Sequence, residues 1–200
     1  MTLQSYYSSN ALSPYALSGE LSALVTSCRD ISHQSDVDGL IKTLMLLALD
    51  HADWERGLLF LTDGGRSEIQ AEAVKRDGIA NVLLAPTLRA FPSFPMSVLR
   101  YVLRTERGVS VDDAATVNPF SEDDFLRRNS VRSFLCFPLS AQRKIIGVLY
   151  LENNSSPRAF EHDRLAILEL LIINAAAMLN NIRTNLTTGA GGSGTSEKRE

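Results

Sequence analysis

The first candidates for reactive side chains are the two cysteines, Cys28 and Cys136. They are far apart and form no CxxC pair, which argues against a disulfide framework and against a structural zinc site. Cys136 stands in a predicted strand among Phe134, Leu135 and Phe137, where a free cysteine behaves as a small hydrophobic residue. The alternative is a redox-sensing thiol, which needs a lowered pKa and solvent access. The same two interpretations apply to Cys28.

Other residues that could ligate a metal or transfer a proton form no recognisable site. His33, His51 and His162 share no metal-ligand spacing. The acidic run 122–124 could resemble a metal cluster, but at the start of a predicted short helix its charges simply favour the helix dipole. The sequence has no nucleophile elbow and no glycine-rich phosphate loop after a strand. It therefore predicts no enzyme, no catalytic residues and no metal, and it identifies no cofactor.

Composition and charge exclude several classes of partner. The formal net charge is −3, and the lysines and arginines are scattered, so nothing favours nucleic acid or an anionic membrane. The N-terminus lacks the basic and apolar segments of a signal peptide. The longest apolar stretch, 165–179, contains Glu169 and Asn174 and is shorter than the ~20 residues of a membrane span. We expect a cytoplasmic domain.

Hydrophobic periodicity places the elements that must position any site. It predicts a loose lead-in over 1–16, one domain over 17–187 and a flexible Gly/Ser-rich tail or linker over 188–200. Predicted helices cover 17–31, 37–52, 96–105, 123–128 and 161–186. Predicted strands cover 57–61, 67–75, 78–86, 109–111, 133–139 and 144–152.

The last predicted helix carries two apolar stripes at spacings of three and four residues. One stripe can pack on the sheet, and the other must be buried elsewhere. We expect the first and last helices to lie together and to form a helical bundle with a second copy of the chain. The predicted dimer interface comprises Leu21, Leu24, Cys28, Leu168, Ile172, Ala175, Leu179 and Ile182. The alternative is that both stripes are satisfied within a monomer.

Several segments taken together resemble a GAF domain. The run 145–153 (IIGVLYLEN), then Phe160, Asp163-Arg164-Leu165 and a long Ala/Leu/Asn-rich helix resemble its C-terminal half. The runs 56–61, 95–102, 111–114 and 133–139 extend the resemblance backward, to most of the chain. It is most similar to the GAF domain of large hybrid sensor histidine kinases, in which Ser/Thr-kinase-like and ATPase-like regions come first and a histidine kinase follows.

The resemblance implies an α+β fold with a six-stranded antiparallel sheet, helices on both faces, and packed terminal helices. It also implies a small-molecule pocket between the sheet and the segment 91–125, with output through the last helix. That segment is aromatic, so we expect any ligand to be apolar or aromatic. The predicted pocket residues are Phe91, Phe94, Met96, Phe120, Phe125, Phe134 and Cys136.

Family relatives with specialised chemistry match this sequence poorly. Bilin-binding GAF domains attach the chromophore to a cysteine usually followed by histidine in a loop, whereas Cys136 is followed by Phe137 on a strand. The enzymatic relative, free methionine sulfoxide reductase, uses a set of cysteines that this chain lacks. The cyclic-nucleotide pattern is matched only in part, by Asn153, Phe160 and Asp163. We expect a non-catalytic sensory module; the alternatives are a dimerisation spacer or a thiol sensor through Cys136.

Overall fold

The computed structural model describes residues 14–50, 53–63, 66–85, 93–158 and 162–190. The described helices are α1 (Pro14–Ser32), α2 (Val37–Asp50), α3 (Met96–Thr105), α4 (Asp124–Arg128) and α5 (His162–Ala190). The described strands are β1 (Arg56–Asp63), β2 (Arg66–Arg76), β3 (Ile79–Leu84), β4 (Val109–Val111), β5 (Ser133–Ala141) and β6 (Lys144–Asn153). The elements predicted from hydrophobic periodicity are all present, with small shifts in their ends.

The strands form one antiparallel sheet in the order β3-β2-β1-β6-β5-β4. Two of its hairpins use two-residue turns with positive φ at both central positions. These are Asp77-Gly78 between β2 and β3 and Gln142-Arg143 between β5 and β6. Such turns match the twist of paired strands. The six-stranded antiparallel sheet implied by the resemblance is confirmed.

Helices cover both faces of the sheet, as expected. On one face, α1, α2 and α5 pack around Leu59, Leu135, Leu149 and Leu151. On the other face, α3 and α4 pack around alternate residues of the same strands. A sheet with both faces covered needs apolar side chains on both sides of its central strands, which explains the continuous apolar runs in β1, β5 and β6.

The two terminal helices lie in contact along one face of the sheet, which confirms that part of the prediction. α1 begins at Pro14, inside the segment expected to be irregular, and α5 continues to Ala190, inside the expected tail. By length and composition alone, Arg164–Asn185 would suffice to cross a membrane. Its sheet-facing side chains are buried in the core of the domain, so packing on the sheet accounts for part of that apolar composition.

Candidate functional site

The side of the sheet under α3 and α4 is lined by aromatic and aliphatic side chains. The strand residues that point to it are Leu58, Phe60, Phe134, Cys136, Val148 and Tyr150, all buried. We call this surface, together with the residues of α3 and α4 that cover it, the aromatic face. It is the place where the sequence predicts a pocket.

Rings from the covering segment fill much of the aromatic face. The ring centroid of Phe94 lies 4.4 Å from that of Phe60 and 5.0 Å from that of Tyr150. The ring centroid of Phe120 lies 6.0 Å from that of Phe134. These separations are close to or within the range of favourable tilted and edge-to-face ring pairs. Side chains of the covering segment therefore occupy part of the space in which the resemblance implied a pocket.

The structure brings together most of the predicted pocket residues that it describes. Phe94, Phe120, Phe134 and Cys136 are buried in one cluster, with Phe125 packed against it. Met96 does not belong to this cluster, because its side chain is 48% exposed at the start of α3. Phe91 lies outside the described residues.

A charged network borders the aromatic face. Arg56 Nε donates to Glu72 Oε1 at 2.7 Å, and Arg56 Nη1 donates to Glu152 Oε1 at 3.0 Å. The Tyr150 hydroxyl donates to Glu152 Oε2 at 2.7 Å. Glu152 is buried, and a buried charge requires hydrogen-bond partners. Each of its two carboxylate oxygens accepts a hydrogen bond. We call these four residues the Arg56 network.

Arg56 also ties the covering segment to the sheet. Its Nη2 donates to the carbonyl oxygen of Ser93 at 3.0 Å, just before α3. Its guanidinium carbon lies 5.8 Å from the ring centroid of Phe125 in α4, within the range of a cation–π contact. One guanidinium therefore joins two strands, the segment leading into α3, and α4.

Burial and the neighbouring charges shift the pKa values in this network. Burial raises the pKa of the Glu152 carboxyl, and the opposing effects of Arg56 and Tyr150 do not cancel it. Burial, and then Glu152, raise the pKa of the Tyr150 hydroxyl well above its usual range. Burial lowers the pKa of Arg56, but Glu152 and Glu72 more than compensate, and the net shift is upward. Arg56 therefore stays charged, and Tyr150 keeps its proton.

Asp123 links the two helices that cover the aromatic face. Its Oδ1 accepts hydrogen bonds from the backbone N–H groups of Phe125 at 2.9 Å and Leu126 at 3.4 Å, which makes it the N-cap of α4. Its Oδ2 accepts from Ser97 Oγ at 2.6 Å and from Ser97 N at 3.2 Å in the first turn of α3. Within the acidic run 122–124, Asp123 is thus the capping residue, whereas Glu122 and Asp124 pair with Arg127. No metal-ligand cluster occurs among the described residues.

Sequence analysis missed the Arg56 network. Arg56, Glu72 and Glu152 stand on different strands and come together only in the sheet. A signal was present in β6, where Val148, Tyr150 and Glu152 share one face by period-two alternation. A carboxylate that continues an apolar face indicates a buried partner.

Cys136 lies at the centre of the aromatic face and is completely buried. Burial raises the pKa of its thiol far above its usual range. A thiol that senses oxidants needs the opposite conditions, a stabilised thiolate and access to solvent. The structure supports the interpretation of Cys136 as a small hydrophobic residue of the core.

The α5 residues of the predicted dimer interface pack within a single chain. Leu168, Ile172, Ala175 and Leu179 are buried in the core between α5 and the sheet. Leu24, Cys28 and Ile182 are partly buried against the same core, and the side chain of Leu21 lies outside the described residues. These side chains contact the sheet and α2, so a partner helix would have to use another face.

A different stripe of α5 remains exposed. Ala166, Leu170, Ile173 and Ala177 follow each other at spacings of four, three and four residues and are all exposed. Leu170 is 48% and Ile173 61% exposed. On the neighbouring α1, Val25 is 57% exposed. We call the four α5 residues the α5 seam.

The remaining candidate residues have structural roles or are not described. Asn153 ends β6, and its side chain donates to the carbonyl of Asp53 and accepts from the N–H groups of Ser155 and Ser156. His33 is exposed. Phe160, His51 and the side chains of His162 and Asp163 lie outside the described residues.

Comparison with known proteins agrees with the fold. Residues 36–179 match the family profile described as "GAF domain". The GAF domain from Acinetobacter phosphoenolpyruvate-protein phosphotransferase has a similar structure, with a TM-score of 0.61 and 16% identity. This match covers 93% of the present chain and 100% of that one. At this identity the likeness concerns the fold alone.

Two curated proteins are similar in sequence. "Hybrid signal transduction histidine kinase G" of Dictyostelium discoideum is 34% identical over 88 residues, which cover 44% of this chain and 3% of that protein. "Peroxide stress-activated histidine kinase mak3" of Schizosaccharomyces pombe is 22% identical over 167 residues, covering 82% of this chain and 7% of that protein. The chain thus spans a small fraction of the length of these relatives.

Proposed function

The chain belongs to the GAF domain family, and on that premise we propose that it is a non-catalytic regulatory module that dimerises through its terminal helices and relays a signal along α5. The observation that carries the proposal is the α5 seam. Four exposed residues at alternating spacings of four and three form the pattern of a helical interface. An apolar stripe of this kind on a helix that already buries its opposite side favours a partner.

The proposed partner is a second copy of the chain. α1 and α5 lie side by side, so two copies that meet along the α5 seam would bring four helices together. This is the bundle geometry expected from the sequence, built on a different stripe of α5. Small residues at two of the four positions, Ala166 and Ala177, would allow the helices to approach closely.

The oligomeric state tests this proposal directly. We expect native mass spectrometry of the purified chain to show a dimer, and Ile173→Glu to shift it to a monomer because a charge would be buried in the interface. Ile79→Glu is the matched control, since Ile79 is 74% exposed on β3 and is not part of the seam. A monomeric wild type, or a dimer unaffected by Ile173→Glu, would refute the α5 seam as the interface.

Ligand sensing at the aromatic face is a second candidate function. It is favoured by the Arg56 network, because a buried charged group beside aromatic rings is a feature of small-molecule sites. In this candidate, an apolar or aromatic ligand replaces part of the ring cluster and contacts Arg56. A mass excess present in the native but not in the denatured spectrum would support it. Native protein without added mass would favour a dimerisation spacer.

We further propose that the module acts within a longer signalling protein. The two curated relatives are named as histidine kinases and are far longer than this chain. A kinase activity would then belong to other domains and be regulated through α5. The name of one relative includes peroxide stress, but the buried Cys136 offers no basis for a thiol sensor at that position.

A further inference from the structure

The end of α4 carries two arginines that are followed closely by a serine. Arg127, Arg128, Asn129 and Ser130 are consecutive, and all four are exposed. Ser130 is the one serine or threonine of the sequence with arginine both three and two positions before it, and an apolar residue, Val131, follows it. Carboxylates in the substrate groove of a basophilic serine kinase select a hydroxyl by guanidinium groups at such a fixed spacing.

The two arginines make only exposed ion pairs within the domain. The side chain of Arg127 is 57% exposed and that of Arg128 is 80% exposed. Arg127 lies 2.8 Å from Asp124 and 3.4 Å from Glu122, and Arg128 lies 3.6 Å from Asp124. Exposed pairs of this kind contribute little to stability. Carboxylates of a kinase can therefore replace them at a small cost in free energy.

α4 ends in a turn that favours glycine at the position of Ser130. The N–H of Val131 donates to the carbonyl of Leu126 at 3.1 Å, and the N–H of Ser130 donates to the carbonyl of Arg127 at 3.2 Å. These are the two hydrogen bonds of a Schellman motif, in which the residue at the position of Ser130 is left-handed and is usually glycine. Ser130 has a φ of 51°, and its Cβ makes this conformation costly. The turn is therefore less stable than the same turn with glycine.

Transfer of a phosphoryl group to Ser130 requires the end of α4 to open, because a kinase takes its substrate segment in an extended conformation. The opening breaks both hydrogen bonds of the Schellman motif and exposes Val131, which is 4% exposed in the folded domain. It involves no strand, since this segment ends before β5. A helix of five residues has little stability of its own, and such exposed elements open at a lower free energy than the core.

We propose that Ser130 is a phosphorylation site for a basophilic serine kinase, reached through local opening of the end of α4. ATP is the phosphoryl donor. A bond forms between Ser130 Oγ and the γ-phosphorus, the bond from that phosphorus to the bridging oxygen of ADP breaks, and the hydroxyl proton passes to a carboxylate of the kinase. The site lies outside the α5 seam and does not depend on dimerisation. Because α4 also holds Phe125 against Arg56, the same opening links modification to the cover of the aromatic face.

The catalytic subunit of cyclic-AMP-dependent protein kinase, a basophilic kinase, is the probe, supplied with ATP and magnesium. With the folded full chain, we expect one phosphate per chain, located on Ser130 by peptide mass mapping. A synthetic peptide of residues 122–135, which lacks the fold, is the reference substrate. Modification of the peptide but not of the full chain, or modification of the chain at other residues only, would overturn the proposal.

Variants of the segment test the residues that define the site. Ser130→Gly removes the acceptor hydroxyl but suits the left-handed position, so it should abolish phosphorylation while the domain stays at least as stable. Arg128→Gln should lower kcat/KM at least tenfold, because the kinase loses a guanidinium that it recognises. Arg107→Gln, at an exposed arginine outside the segment, should leave kcat/KM unchanged. Phosphate retained in Ser130→Gly, or an unchanged rate in Arg128→Gln, would contradict the assignment.

A further pair of variants distinguishes local opening from global unfolding. Asp123→Ala removes the N-cap of α4 and should raise the initial rate of phosphorylation at least threefold. Ile41→Val, buried in α2 on the opposite side of the sheet, lowers the stability of the whole domain and should leave the rate close to that of the wild type. Equal acceleration in the two variants would mean that the kinase modifies the unfolded chain, and the proposal would then fail.

Discussion

At the scale of single residues, Arg56 determines how the covering segment meets the sheet. It holds two carboxylates, one backbone carbonyl and one aromatic ring. Burial raises the pKa of the Glu152 carboxyl, and the charge of Arg56 acts in the opposite direction. The ionised form of Glu152 therefore depends on Arg56. The pair is therefore unlike a surface ion pair, whose removal changes little.

We predict that Arg56→Met destabilises the domain by about 3 kcal/mol, since removing one partner leaves the other charge buried without compensation. Glu152→Gln in the same chain should recover part of this loss, because it removes the unpaired charge while keeping the shape of the side chain. Urea denaturation of both variants measures the difference.

A control for this prediction is Arg127→Met, which breaks the exposed pair with Asp124 and should have little effect on the free energy of unfolding. If Arg56→Met is no more harmful than Arg127→Met, then the Arg56 network contributes nothing specific. A double variant less stable than Arg56→Met would also contradict the argument.

At the scale of elements, two short helices close the aromatic face, and one carboxylate joins them. α4 runs over Asp124–Arg128, too short to be stable in isolation. Its position depends on the cap at Asp123, on the burial of Leu126, and on the hydrogen bonds from Asp123 to Ser97 in α3.

We predict that Asp123→Ala lowers stability by about 1–2 kcal/mol, the cost of losing an N-cap, and loosens the first turn of α3 as well as α4. Hydrogen exchange should show faster exchange at the amides of Ser97, Phe125 and Leu126, while the amides of β1 and β6 keep their protection. Asp124→Ala is the control, because Asp124 is exposed and does not cap the helix. Equal exchange in the two variants would contradict the capping role.

At the scale of the whole molecule, the sheet separates two hydrophobic cores, one on each of its faces. Cys136 lies in β5, between β4 and β6 in the sheet, and faces the aromatic face. Because its thiol is completely buried, a reagent reaches it only if the segments that cover the aromatic face move away. Cys28 is only partly buried, in α1, which packs on α5 and α2 and is not part of the sheet.

We predict that N-ethylmaleimide modifies Cys28 of the native protein well before Cys136, and that Cys136 reacts only through the small globally unfolded population. Peptide mass mapping over time distinguishes the two thiols. Added urea should accelerate the reaction of Cys136 in proportion to the unfolded population. Rapid modification of Cys136 without urea would show a local opening of the aromatic face and would reopen the case for a thiol sensor.

The sequence by itself determined the elements, and its resemblance to GAF domains implied the fold that they form. Period-two alternation in β5 and β6 and helical spacing in α3 and α5 are local patterns, read from neighbours a few residues apart. The hairpin turn at Asp77-Gly78 also follows local backbone preferences. The placement of the segment 91–125 over one side of the sheet came instead from the resemblance to GAF domains.

Only the tertiary structure decided which apolar stripe of α5 is buried and which charges meet. Residues of both predicted stripes, such as Leu168 and Leu171, are buried, whereas a third stripe of the same spacing through Leu170 stays exposed. Which faces of the helix are covered depends on how it is rotated on the sheet. Arg56 and Glu152 are 96 residues apart in sequence, and their pairing follows from the alignment of β1 with β6. Sequence periodicity indicates the secondary structure of the segment to which a residue belongs. Burial and pairing depend on the residues that face it from other elements.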